Sequence, residues 1–415
     1  MSLDVTFKKV GPHERRTHLQ TTRICRINKG KLMTSTSRRR KKWFWLLPVF
    51  VLIALPGCQS IGYYSQAIKG QCGIYLGQRP IKSILADTNV PTELKEKLGL
   101  VLQLREYAER ELKLKANGHY LKYSDVHRRF VVWNVNAAPE LSLEPKRWWY
   151  PVVGSLKYRG YFSEKMARKY GARLDKKGYD VFVGGVEAYS TLGWFRDPVL
   201  NTFVHNTDAD LAEIIFHELS HQRVFANGDT DFNEAFATAV AEEAVQRWLR
   251  SLGNTNALQE YLDSQKRTEQ FVGIVDQART QLKAVYGDPV EAKGGTGGLS
   301  DNDKREQKKR IIAELKERYT ALKLQWGGDT SMDGWFARPI NNAQLNTIAT
   351  YYDLVPEFRK LIRASNGDLE KFFATCTRLA KVKDKDGRHA ALKALVVNKT
   401  SINASRYVDL LIGMR

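Results

Sequence analysis

Five residues concentrate the reactive side chains of this chain: His217-Glu218-Leu219-Ser220-His221. On a helix, positions i and i+4 lie on one face a turn apart, so both imidazoles point the same way. Two imidazoles so placed can grip one zinc ion, and the Glu between them can act as base toward a water at the metal. A catalytic zinc takes a third protein ligand and leaves a fourth position open. Glu234, in the run Asp229-Thr230-Asp231-Phe232-Asn233-Glu234, is the candidate. Glu242 and Glu243 are rival carboxylates more than two turns further along.

The elements around these residues must deliver them to one point. Leu211, Ile214, Ile215, Phe216 and Leu219 form an apolar stripe at helical spacing. Thr207-Asp208 can cap that helix and Asn227-Gly228 can stop it, which predicts His217 and His221 in mid-helix. Asp231 is the expected cap of a second helix that buries Phe232, Phe236, Val240, Val245 and Trp248. A short loop at 227–230 folds the second helix back on the first. Ala237 and Ala241, near the face of Glu234, allow a close approach.

Elsewhere the pattern is helical over Pro91 to Ala116, strand-like over Val126 to Val135 and Gly178 to Gly184, and a turn then a helix over Tyr158 to Tyr170. Helical patterns resume at Leu258–Tyr286 and over most of Asn341 to Val397. Residues 289–310, with Gly294-Gly295-Thr296-Gly297-Gly298 and a charged run, predict a mobile loop feeding a helix that ends near Gln325. The class expected is α+β, predominantly helical, with a small sheet edging a zinc cleft. The expected division is a leader over 1–57, an N-terminal α+β lobe over 58–205, and a helical zinc-site and C-terminal lobe over 206–415.

The leader argument rests on Arg38-Arg39-Arg40-Lys41-Lys42 followed by thirteen mostly apolar residues, Trp43 to Leu55. That is a secretory signal, too short to span a bilayer comfortably. Leu55-Pro56-Gly57-Cys58 resembles a bacterial lipobox, which implies lipidation at Cys58. Gln59 follows it, which by family analogy favours an outer-membrane address facing the periplasm. A start at Met33 would give an ordinary signal-peptide beginning. The net charge is +21, but residues 1–57 hold 13 of the 66 basic and only 2 of the 45 acidic residues. About half the excess is thus targeting sequence, and the remaining +10 suits a neighbour of anionic lipid or glycan. No nucleic-acid-binding pattern is present, so no nucleic-acid partner is expected. Past Cys58 only Cys72 and Cys376 remain; they could pair in an oxidising envelope or stay free.

His217 to His221 followed by Asn233-Glu234-Ala235-Phe236-Ala237 resembles the gluzincin metallopeptidases, in which a Glu on the next helix completes the zinc site. Only twelve residues separate His221 from Glu234, fewer than in the large aminopeptidases of that clan. A wider set resembles the predicted zinc aminopeptidases of bacterial envelope lipoproteins. It comprises Gly62-Tyr63-Tyr64, Gly70-Gln71, Gly193 to Pro198, Ile215 to Thr238, Asn341-Asn342-Ala343 and Tyr351 to Pro356. The resemblance implies a thermolysin-like core, one zinc ion and a peptide substrate cut at its N-terminus. It makes Tyr351 or Tyr352 the candidate oxyanion donor, and Glu187 a loose match to the carboxylate that binds the substrate α-amine. Asn233 stands where it could orient a ligand or cap the second helix. Asp197, before Pro198, reads as a turn residue; His205 lies near enough in sequence to border the cleft. Two alternatives share the motif: an envelope endopeptidase or peptidoglycan-peptide hydrolase, and a lipoprotein that keeps zinc for structure alone.

Overall fold

The computed structural model describes residues 58–150, 154–188, 196–287 and 299–397. The leader, Gly193-Trp194-Phe195 and most of the glycine-rich segment lie outside the described residues. Chain order is α1 (Cys58–Leu76), β1 (Arg79–Pro80), α2 (Ile81–Ala86), α3 (Thr92–Arg110), β2 (Lys122–Ser124) and β3 (Val132–Pro139). Next come β4 (Trp148–Tyr150), β5 (Gly154–Leu156), β6 (Tyr158–Tyr161), α4 (Glu164–Asp175), β7 (Tyr179–Val186) and β8 (Val199–Leu200). The rest is helical: α5 (Asp208–Ser220), α6 (Thr230–Ser251), α7 (Thr255–Tyr286), α8 (Asp301–Gln325), α9 (Asp333–Phe336), α10 (Asn342–Tyr352), α11 (Val355–Ala364), α12 (Leu369–Ala380) and α13 (Lys385–Val397). The class is α+β, mostly helical with a small sheet.

The main sheet has the order β6-β3-β7, antiparallel throughout. Its register sets Asn134 opposite Gly160 and Gly184, and Asn136 opposite Tyr158 and Phe182. Side chains alternate along a strand, so these residues share one face and Trp133, Val135, Ala137 and Tyr161 share the other. The second face packs on Ala167 and Leu174 of α4. Gly171 permits that approach, because a Cβ there would lie 3.1 Å from Val183 and 3.2 Å from Val181. The first face, with its asparagines and glycines, forms a wall of the cleft described below.

α6 is the central element. From Thr230 to Leu249 most of its residues are buried, including the predicted Phe232, Phe236, Val240, Val245 and Trp248. Phe236 stacks on Phe372 with centroids 5.8 Å apart and meets Phe358 edge-on at the same distance. One core cluster runs from Ile74 through α3, α5 and α6 to Leu392; a second lies between α7, α8 and α10.

Some boundaries differ from expectation. The predicted strand at 126–135 is β3, shifted to Val132–Pro139, and Tyr158–Tyr161 is a strand before its helix. α3 stops at Arg110, and Lys113 and Asn117 then adopt left-handed φ of 58° and 44°. Ser300 caps α8 through its side chain, so the charged run from Asp301 belongs to that helix rather than to the loop. Cys72 is exposed, Cys376 is buried, and both are free. Among the described residues no helix is long and apolar enough to cross a membrane.

Candidate active site

Thr207 caps α5 as expected, its side chain accepting from the Asp210 N–H. Leu211, Ala212, Ile215, Phe216 and Leu219 are buried, which turns His217, Glu218 and His221 toward a cleft. The helix ends at Ser220, earlier than the Asn227-Gly228 stop, so His221 is its C-cap and not a mid-helix residue. Its φ of −58° and ψ of −24° remain helical, and the one-turn relation to His217 survives. The two rings stand edge to face with centroids 4.9 Å apart.

The loop that follows is tied by Asn233, which accepts from the Ala226 N–H at 2.7 Å and donates to the Ala226 carbonyl at 2.8 Å. Asn233 lines the cleft, yet its amide is committed to the loop. The cap of α6 is Asp229, not Asp231: its side chain accepts from the Phe232 N–H at 3.2 Å. Asp231 faces Lys157 at 2.6 Å and Lys385 at 2.7 Å instead. Gly228, at φ 76°, makes the turn before the cap. This turn and cap set Glu234 one turn into α6, with Oε2 3.3 Å from Nε2 of His217 and 3.7 Å from Nε2 of His221.

One ligand atom from each of His217, His221 and Glu234 lies within 4.8 Å of the others. Two imidazole nitrogens and a carboxylate oxygen at that spacing fit the ligand set of a single zinc ion. The rivals are engaged elsewhere: Glu242 pairs with Arg359 and Glu243 with Arg247.

Electrostatics agree with a cation site. Burial holds His221 down at about 4, so its imidazole is neutral and has a lone pair to give. Burial also pulls on His217, but the hydrogen bond and charge of Glu234 outweigh it and lift it above its ordinary value. For Glu234 burial is outweighed in turn by His221 and His217, and the carboxyl lies low. For Glu218 burial outweighs the pull of His217 and, with the charges of Glu234 and Asp197, lifts the carboxyl to about 8. Its Oε2 is buried with no hydrogen-bond partner.

The cleft has a volume of about 780 Å³. Val132, Asn134, Asn136, Gly160 and Gly184 of the sheet face form one wall, α5 and α6 another, and Tyr63 and Ala67 of α1 a third. Tyr351 lines it; the negative charge of Glu234, then burial, pushes its hydroxyl well above the ordinary value. Tyr352 does not line it and packs against the main core. Glu187 lines the cleft with Oε2 accepting from Asn206 at 3.1 Å. Asp197 is buried with His119 at 3.3 Å, while His205 faces Glu93 outside the cleft.

Two cleft residues escape the sequence reading. Tyr158 reaches the site from β6, where burial and the charges of Glu234 and Glu218 raise its hydroxyl. Glu213, one turn before His217, lines the cleft as well, and burial lifts its carboxyl to about 7. Tyr158 carried no local signal, but Glu213 breaks the apolar stripe four positions before His217.

Residues 62–392 match the protein family described as "Putative aminopeptidase". No curated protein matches the chain. No solved structure matches it. That span covers most of the chain, which therefore belongs to this family.

Proposed function

With that membership as premise, we propose that this protein is a zinc-dependent aminopeptidase of gluzincin type, with a thermolysin-like core. The observation that carries the reading is the convergence of His217, His221 and Glu234 beside the unpartnered buried carboxylate of Glu218. A purely structural metal site has no use for such a base.

His217, His221 and Glu234 would hold zinc, which would supply Lewis-acid polarisation of the scissile carbonyl and of water and a charge favouring the ionised form of Glu218. Glu218 then accepts the proton of the attacking water and passes it to the leaving amine. The Tyr351 hydroxyl, kept protonated by its surroundings, donates to the oxygen on which negative charge develops. Tyr158 is the second hydroxyl at the site and can share that task. Asn233 acts through the chain: it fixes the loop between the two ligand-bearing helices.

The amino specificity is supported by the family and by the lining. Glu187, Glu213, Glu218, Asp229 and Glu234 line the cleft, and no Lys or Arg does so among the described residues. Such a surface repels a substrate's C-terminal carboxylate and welcomes its N-terminal ammonium. The test is a panel of free and N-acetylated peptides, with zinc removed and restored. Zinc-dependent release of N-terminal residues from free peptides only is expected; cleavage of blocked peptides at equal rate would favour the endopeptidase alternative. Metal analysis comes first, and a protein unable to take up zinc would end both peptidase readings.

We assign the protein to the bacterial envelope, lipid-anchored through Cys58 on the periplasmic face of the outer membrane, with peptides and not nucleic acid as partners. The signal and the lipobox-like Leu55-Pro56-Gly57-Cys58 support this. Incorporation of labelled palmitate, lost in Cys58→Ser, is the check.

A further inference from the structure

The mechanism leaves one cleft carboxylate unused. Glu213 sits one turn before His217 on α5, about 6 Å along the helix axis. Its Oε2 accepts from the Tyr261 hydroxyl at 2.7 Å. Gln265 donates to that hydroxyl at 3.2 Å, and Gln246 donates to Gln265 at 3.0 Å. The donors of this series, drawn from α6 and α7, run in one direction and end on the carboxylate. Oε1 has no partner among the described residues.

A neighbouring carboxylate shows what is missing. Glu242 of α6 is buried, and both its oxygens are held by Arg359 at 2.7 and 2.8 Å. Glu213, partly exposed, is paired with no Lys or Arg among the described residues, and none of the described cleft-lining residues is Lys or Arg. The second oxygen of Glu213 is thus left for a group that enters the cleft.

We propose that Glu213, oriented by Tyr261, is a binding site for an ammonium group of the substrate. The inference deepens the aminopeptidase reading and rests on it for the identity of the substrate. Two sources share the chemistry: the substrate α-amine, and the side-chain amine of a basic residue beside the scissile bond. The 6 Å from the turn of His217 is under two residues of extended chain, so either source reaches. Glu187 faces the cleft with an Asn206 hydrogen bond and is the competing anchor.

The test is calorimetric titration of the metal-depleted full chain with leucinamide, N-acetyl-lysinamide and N-acetyl-norleucinamide. In Glu213→Gln, one ammonium probe should bind at least tenfold more weakly, and the neutral probe should change less than twofold. Loss confined to leucinamide assigns the α-amine; loss confined to N-acetyl-lysinamide assigns the side chain. Equal binding of all probes by variant and wild type, or a loss seen only in Glu187→Gln, overturns the proposal. If Glu213→Gln does not fold, Tyr261→Phe removes only the orienting hydroxyl and should give about a threefold to tenfold loss on the same probe; no change there also overturns it. Ammonium binding without hydrolysis of any peptide would remove the peptidase reading and leave this site standing. Hydrolysis with no Glu213 dependence of binding does the reverse.

Discussion

Two buried acids, Asp229 at the N-cap of α6 and Glu218 on α5, differ in how their charge is met. At the N-cap, Asp229 is held by Arg388 and by His389 at 3.0 Å, and Asp231 lies between Lys157 and Lys385. Burial pushes the Asp229 carboxyl up, but these hydrogen bonds and charges bring it down to about 2. On α5 Glu218 is buried too, lacks a partner for Oε2 among the described residues, and is pushed up to about 8. The first is neutralised by the protein; the second is left without a cation to hold Oε2, as the proposed base would be.

The largest effect that would sharpen the contrast is on activity. Glu218→Gln should lower kcat/KM by about 10³-fold, or ~4 kcal/mol, with zinc content and melting temperature held. A fall in melting temperature with activity retained would erase the distinction. Next, Asp229→Ala strands Arg388 and should cost about 3 kcal/mol in urea unfolding. An unchanged urea midpoint would show that the clamp holds nothing. Acid should act on the same residue. Its folded value of about 2 lies below an unfolded value of about 3.9, so its stabilisation is present above the latter and is lost as pH falls through the former. The loss amounts to about 2.5 kcal/mol, and Asp229→Asn should flatten that part of the stability profile. The smallest effect separates two adjacent tyrosines: Tyr351→Phe should lower kcat about tenfold to a hundredfold and Tyr352→Phe less than about threefold. Equal effects would mean that lining the cleft does not matter to the hydroxyl.

The part of the site written in local periodicity was legible. His217, Glu218, His221 and Glu234 follow from helical spacing and a short loop, and the structure brings them together. The cap was misplaced by two residues because Asp229 and Asp231 have the same local chemistry. Only long-range partners decide between them: Arg388 and His389 take one, Lys157 and Lys385 the other. Tyr158 was illegible for the same reason, since it reaches Glu234 only once β6 pairs with β3. The sheet was found but shifted: Val126 to Val131 has the strand composition, yet His127 takes a left-handed φ of 50° before the ladder begins. Glu213 and Glu242 look alike in sequence, and Arg359, 117 positions after Glu242, separates them.

The clamp on Asp229 also sets an order of events. Arg388 and His389 come from α13, 159 and 160 positions after the acid they hold. His217, His221 and Glu234 therefore all precede, in order of synthesis, the groups that secure the helix bearing Glu234. A chain trimmed ahead of α13 keeps the motif and loses both groups that hold Asp229.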